Sequence, residues 1–158
     1  MHYSADPMEG LHLTADLRDC RCAPQWLCDA QALGRAALSA VLNAGLQPVG
    51  QLFHHFPATE RGPGGVTATV LLAESHLCIH TWPECAGVTL DVYVCNFGAD
   101  HSAKARQLLD SLLALFQPGV VQRQAWRRGW EASLDQGLEA QGCAIAPPST
   151  GTGVRSGP

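Results

Sequence analysis

Leu72-Ala73-Glu74-Ser75-His76-Leu77-Cys78-Ile79-His80-Thr81-Trp82-Pro83-Glu84 is the stretch on which the fold turns. Side chains of a strand alternate between its faces. The run after Ser75 therefore puts His76, Cys78, His80 and Trp82 on one side and Leu77 and Ile79 on the other. Val88 to Cys95 repeats the pattern, with Val88, Leu90, Val92 and Val94 on one face and Thr89, Asp91, Tyr93 and Cys95 on the opposite one. Two such strands describe a sheet whose apolar face lies under helices and whose other face stays polar. If they pair, His80 and Cys95 are expected near each other on the polar face.

Working outward, Leu11 to Leu17 alternates as a strand and Cys20 to Pro24 reads as a turn. From about Leu27 to Leu46, the positions Ala30, Leu33, Ala37 and Val41, with Leu38 and Leu42, recur at helical spacing and end near Gly45. Pro48 to Phe56 reads as a strand, Pro57 to Gly65 as a loop, and Val66 to Ala73 as the strand leading into the central run. Ala105, Leu108, Leu109, Leu112, Leu113 and Phe116 mark a second helix, with Asp100 or Ser102 able to cap it and Pro118-Gly119 to stop it. Val120 to Trp126 is a last strand. The order is read as β-α-β-β-β-α-β, an α+β fold: a two-layer sandwich of a mainly antiparallel sheet with two helices on one face. Residues 1–130 form the domain. Residues 131–158 hold few large apolar side chains and end in Pro, Ser, Thr and Gly, so a flexible tail is expected there.

Composition narrows the function. The chain has 158 residues, is 46% hydrophobic and 15% charged, and carries a net charge of −4. Trp126-Arg127-Arg128 is its only small basic cluster, so nucleic acid is not an expected partner. No run approaches the roughly 18 apolar residues of a membrane span, and the N-terminus lacks signal-peptide character. The cytoplasm is the expected location, with Met1 or Met8 as the start. Seven cysteines, an odd number without secretory context, read as reduced thiols.

Ser75 sits between a carboxylate and an imidazole. Its Oγ can attack the Glu74 carbonyl to give an ester, provided the site distorts an otherwise planar, unreactive peptide. A base must then take the Ser75 α-proton, and His80 is the natural one because imidazole titrates near neutrality. Metal is not expected: His76-x-x-x-His80 has the spacing of a helical zinc pair but lies in a strand, and Cys20-x-Cys22 lacks a second pair. Gly62-Pro63-Gly64-Gly65 is not a phosphate loop, and Ser75 has no Gly-x-Ser-x-Gly elbow.

The run Glu-Ser-His-x-x-Ile-His-Thr-Trp-Pro-Glu closely resembles the self-cleavage and active-site segment of the bacterial and archaeal S-adenosylmethionine decarboxylases. Gly10-Leu11-His12-Leu13, Phe53-His54-His55-Phe56 and Leu90-Asp91-Val92-Tyr93-Val94-Cys95 extend the likeness over about residues 10–129. The resemblance implies a proenzyme cut between Glu74 and Ser75 into chains of residues 1–74 and 75–158. Its cofactor would be a pyruvoyl group made from Ser75, without pyridoxal phosphate, forming a Schiff base with S-adenosylmethionine and releasing CO2. The product would be the aminopropyl donor for spermidine synthesis.

By the same resemblance, His80 accepts the proton in processing, assisted by Thr67 where the family commonly has serine, and Cys95 is the proton donor in catalysis. Phe56 and Trp82 sandwich the adenine, Glu84 binds the ribose, and Glu74 stays near the site. The working unit would be a homodimer with its site at the interface. Two departures border the substrate pocket: a longer Pro57 to Gly65 loop, and Cys85 and Gly87 in place of tyrosines. The alternatives are a pyruvoyl-dependent arginine or ornithine decarboxylase on the same fold, and an uncleaved, non-catalytic binding or regulatory homologue.

Overall fold

The computed structural model describes residues 8–73 and 75–129. The tail expected at 131–158, the domain end at 130, the start at Met1 and the side chain of Glu74 lie outside them. In chain order the elements are β1 (Gly10–Arg18), α1 (Gln25–Cys28), α2 (Ala30–Asn43), β2 (Pro48–His55), β3 (Val66–Leu72), β4 (Ser75–Trp82), a 3-10 turn (Pro83–Cys85), β5 (Gly87–Cys95), α3 (Ser102–Phe116) and β6 (Val120–Arg128). The order written from the sequence is one strand short of the runs it was built from: β2, β3, β4 and β5 put four strands, not three, between the two long helices.

All six strands join one antiparallel sheet in the order β2-β3-β4-β5-β1-β6. Alternation decides which face is covered. Leu11, Leu13, Ala15 and Leu17 of β1, Val66, Ala68 and Val70 of β3, Leu77 and Ile79 of β4, and Val88, Leu90, Val92 and Val94 of β5 are all buried. Leu33, Ala37 and Val41 of α2 and Leu108, Leu112 and Phe116 of α3 complete that core. Helix α2 packs on β2 and β3, and α3 on β1 and β5, so both helices cover the same face. The result is the two-layer sandwich read from the sequence.

The first helix differs in detail. The Leu27-to-Leu46 periodicity is broken at Asp29, whose backbone is extended and whose Oδ1 accepts the amides of Gln31 (2.9 Å) and Ala32 (3.0 Å). An aspartate that caps two free amides starts a new helix there. Those bonds, Ala32 first, also hold its carboxyl below the usual range. Leu42, placed on the apolar stripe by spacing, is exposed. At the start of α3, Asp100 rather than Ser102 accepts, taking the Ser102 amide at 2.8 Å. That helix ends at Gln117 in the left-handed region, its amide bonded to the Leu113 carbonyl at 3.0 Å, and Pro118 follows.

Candidate active site

The residues able to do chemistry gather at two separate places, the two ends of the β3–β4 ladder. At one end, Leu72 pairs with Ser75, so β3 and β4 meet where Ser75 begins its strand. Ser75 Oγ accepts the Cys95 amide of β5 at 3.0 Å. Cys95 is buried, and its Sγ receives the Phe97 amide at 3.4 Å. A backbone donor thus orients the serine oxygen, and the thiol occupies the same strand end.

At the other end of β3 and β4, Thr67 is the register partner of His80. Thr67 Oγ1 lies 3.0 Å from His80 Nδ1. Around this pair opens a cavity of about 330 Å³ lined by Phe56, Thr67, His80, Trp82 and Glu84 together with the Pro57–Gly65 loop. The Trp82 indole lies 6.1 Å from the His80 ring. Backbone packs tightly in this wall: a Cβ on Gly64 or Gly65 would collide with the carbonyl oxygens of Phe56 and Thr81. Thr81 anchors the wall from beneath. Its hydroxyl accepts the Val66 amide (2.8 Å) and donates to the Leu27 carbonyl (2.7 Å), tying β3, β4 and α1 together. Sequence reasoning passed over Thr81, although a threonine in an otherwise apolar row invites a search for its partners.

The expectation that His80 and Cys95 sit near each other is corrected. His80 pairs with Thr89 in the β4–β5 ladder, and Cys95 lies six residues further along β5, about 20 Å away at strand rise. Within one chain, Ser75 and His80 are about 17 Å apart by the same rise, at opposite ends of β4. Face follows from period, but end-to-end position follows from register, which the sequence period does not set. The structure therefore gathers Ser75 with Cys95, and Thr67, His80, Phe56, Trp82 and Glu84 with one another, and holds the groups apart.

A third cluster went unread. Asp91 Oδ1 lies 2.9 Å from Nε2 of both His12 and His76. Each ring then carries its proton on Nε2, and the Arg128 Nη1 donor at 3.1 Å from His12 Nδ1 agrees with that tautomer. These three atoms are close enough to hold a cation, yet a metal-bound imidazole would turn an N–H toward the Arg128 guanidinium. The cluster reads as a hydrogen-bond network bracing β1, β4, β5 and β6. Alternation on three strands could have found it, since all three residues fall on polar positions. His76 and His80 have different partners, so their four-residue spacing is not a zinc pair. No helix among the described residues is long and apolar enough to cross a membrane.

Comparison with known proteins follows the same geometry. The sequence profile described as S-adenosylmethionine decarboxylase matches residues 11–129. The S-adenosylmethionine decarboxylase proenzyme of Symbiobacterium thermophilum is 36% identical over 126 residues, covering 80% of this chain and 87% of that protein. Its counterpart in Aquifex aeolicus is 33% identical over 126 residues, covering 76% and 81%. The crystal structure of the adenosylmethionine decarboxylase from Aquifex aeolicus superposes with a TM-score of 0.67 at 29% identity, covering 82% of this chain and 98% of that one. Fold and relatives define the class as a decarboxylase, an enzyme related to proteins named as proenzymes. The chain belongs to the S-adenosylmethionine decarboxylase family.

Proposed function

We propose that this chain cuts its own backbone before Ser75 and then decarboxylates S-adenosylmethionine as a homodimer. The observation that carries the reading is the contact of Ser75 Oγ with the Cys95 amide, which sets a nucleophile and a thiol at one strand end. Ser75 Oγ attacks the Glu74 carbonyl, exchanging the amide for an ester. Removal of the Ser75 α-proton expels the Glu74 carboxylate by elimination. Hydrolysis of the dehydroalanine left behind releases ammonia and a ketone.

The base for that elimination is His80. In the tautomer whose Nδ1–H donates to Thr67 Oγ1, 3.0 Å away, Nε2 keeps a lone pair for the proton. Because His80 and Ser75 of one chain lie at opposite ends of β4, the base comes from a second copy. Two copies related by a two-fold axis, with their β4 strands running in opposite directions, bring the Thr67–His80 end of one copy to the Ser75 end of the other. A two-fold arrangement makes two equivalent sites.

The donor set at the Ser75 end suits a pyruvoyl group: a backbone amide aims at the position of its precursor oxygen, and a thiol stands beside it. Such a group supplies the electron sink for loss of CO2. Cys95 then returns a proton to the product carbon, a role open to an S–H donor. Phe56 and Trp82 offer apolar faces for the adenine and sulfonium, and Glu84 offers a carboxylate for the ribose. The product serves as aminopropyl donor for spermidine synthesis, and the enzyme works in the cytoplasm.

Intact mass spectrometry of the denatured protein tests this reading. Residues 1–74 and a 75–158 chain, lighter by one ammonia than a serine-started chain, are expected, with labelled CO2 released from S-adenosylmethionine. A single uncut chain overturns it and brings forward the non-catalytic homologue. CO2 released from arginine or ornithine instead would reassign the substrate.

A further inference from the structure

Two hairpins of the sheet run on past the point where the cavity opens. On one side the Phe56 amide donates to the Gly65 carbonyl at 2.9 Å, continuing β2–β3. On the other, Trp82 pairs with Gly87 at the end of β4–β5. Between them the β3–β4 register stops at Thr67–His80. The cavity begins there, lined from one hairpin by Phe56 and from the other by Trp82. The contact of Thr67 Oγ1 with His80 Nδ1, at 3.0 Å, is therefore the last rung before the opening.

A single buried side chain fastens the two hairpins at this point. Thr81 follows His80, and its hydroxyl accepts the amide of Val66, the residue before Thr67, at 2.8 Å. The same hydroxyl donates its one proton to the Leu27 carbonyl at 2.7 Å, which leaves the oxygen as acceptor toward Val66. That carbonyl lacks its helical donor because the chain breaks helix at Asp29: the Gln31 amide, four residues on, is held by Asp29 Oδ1 at 2.9 Å. The backbones also touch here, since a Cβ on Gly65 would collide with the Thr81 carbonyl oxygen.

We propose that Thr81 is a positioning residue for His80, its hydroxyl pinning Val66 to β4 and so keeping Thr67 within reach of His80 Nδ1. The proposal rests on the reading above in one respect, that His80 is the base of self-processing. Without the hydroxyl, the Val66 amide and the Leu27 carbonyl lose their shared partner in a buried place. The end of β3 is then unpinned where the ladder stops, and Thr67 draws away from the imidazole. Which ring nitrogen of a neutral histidine carries the proton is set by the partner of one of them. With Thr67 gone from Nδ1, the proton shifts toward Nε2, the nitrogen whose lone pair would take the Ser75 α-proton.

Nitrogen-15 NMR of the full chain carrying Ser75→Ala, at a pH where the ring is neutral, reads that tautomer in an uncut protein. The His80 signal is assigned by its loss in His80→Gln. His80 should carry its proton on Nδ1. Adding Thr81→Val should give a mixture richer in Nε2–H, and Thr81→Ser, which keeps the hydroxyl, should restore the first pattern. His12 and His76, held by Asp91, should not move. Asp29→Ala, at an exposed site, releases Gln31 to the Leu27 carbonyl and should shift His80 the same way by less, a second route if Thr81→Val fails to fold. In the cleavable chain Thr81→Val should slow cutting about three- to tenfold. Thr67→Val should add nothing to that, because both act through one contact. An unchanged His80 tautomer in whichever of the two variants folds, no restoration by Thr81→Ser, or slowing that multiplies with that of Thr67→Val overturns the proposal. A chain with native Ser75 and Thr81 that never cuts fails the cleavage reading alone, since the tautomer is read on uncut protein.

Discussion

The two ends of β4 differ in kind. At Ser75 the strand begins in a narrow place, with the serine oxygen under the Cys95 amide and a buried thiol alongside. At His80 it borders a cavity of about 330 Å³ walled by aromatic rings, a carboxylate and a glycine-rich loop. One end is built to hold a bond and the other to hold a molecule. In a single chain the separation of these two ends is fixed by the ladder, and loop motion cannot close that distance. On the function proposed above, the comparison teaches that the unit of chemistry is a pair of chains.

The largest effect that can break this comparison is Ser75→Ala, which leaves one uncut chain by mass and no measurable CO2 release. His80→Ala should also stay uncut alone. Co-expressed with Ser75→Ala, however, it should regain cleavage and up to about half the activity, since one site per hybrid dimer keeps both residues. No rescue would mean that Ser75 and His80 act within one chain. Cys95→Ala should still be processed but lose about 10²- to 10⁴-fold in kcat, the span of a lost proton donor. Loss of cleavage instead would move Cys95 from catalysis to processing.

Smaller effects sharpen the cavity end. Thr67→Val removes the partner of His80 Nδ1 and should slow cleavage about three- to tenfold in a time course, the worth of one hydrogen bond. Trp82→Ala should raise KM about two- to tenfold with little change in the extent of cleavage, as expected for loss of a stacking face. A cleavage defect in that variant would show that the two ends are not independent.

Much of this was legible in the sequence, and the boundary has a physical cause. Period-two alternation in Val66–Leu72, Ser75–Trp82 and Gly87–Cys95 fixed which side chains face the helices, because burial selects every second residue. Helical spacing placed Leu108, Leu112 and Phe116 in the core for the same reason. Register left no such mark, so the distance between His80 and Cys95 was misjudged. The Asp29 cap hid inside an apolar pattern that continued across it. The His12–Asp91–His76 network joins three strands far apart in sequence, and only the ladder brings it together.

The strand order has a consequence for the lifetime of the protein once processed as proposed. Residues before Ser75 supply β1, β2 and β3, and those from Ser75 onward supply β4, β5 and β6, yet β1 lies between β5 and β6. A cut before Ser75, as proposed, would leave two chains woven into one sheet, and parting them would mean opening three ladders at once. Folding of the intact chain is unimolecular, whereas reassembly of the cut pair is a second-order encounter that slows with dilution. The proposed cleavage would therefore act as a ratchet: the fold is reached as one molecule and lost as two. Durability of such a cut protein would be set by how rarely it opens rather than by how readily it refolds.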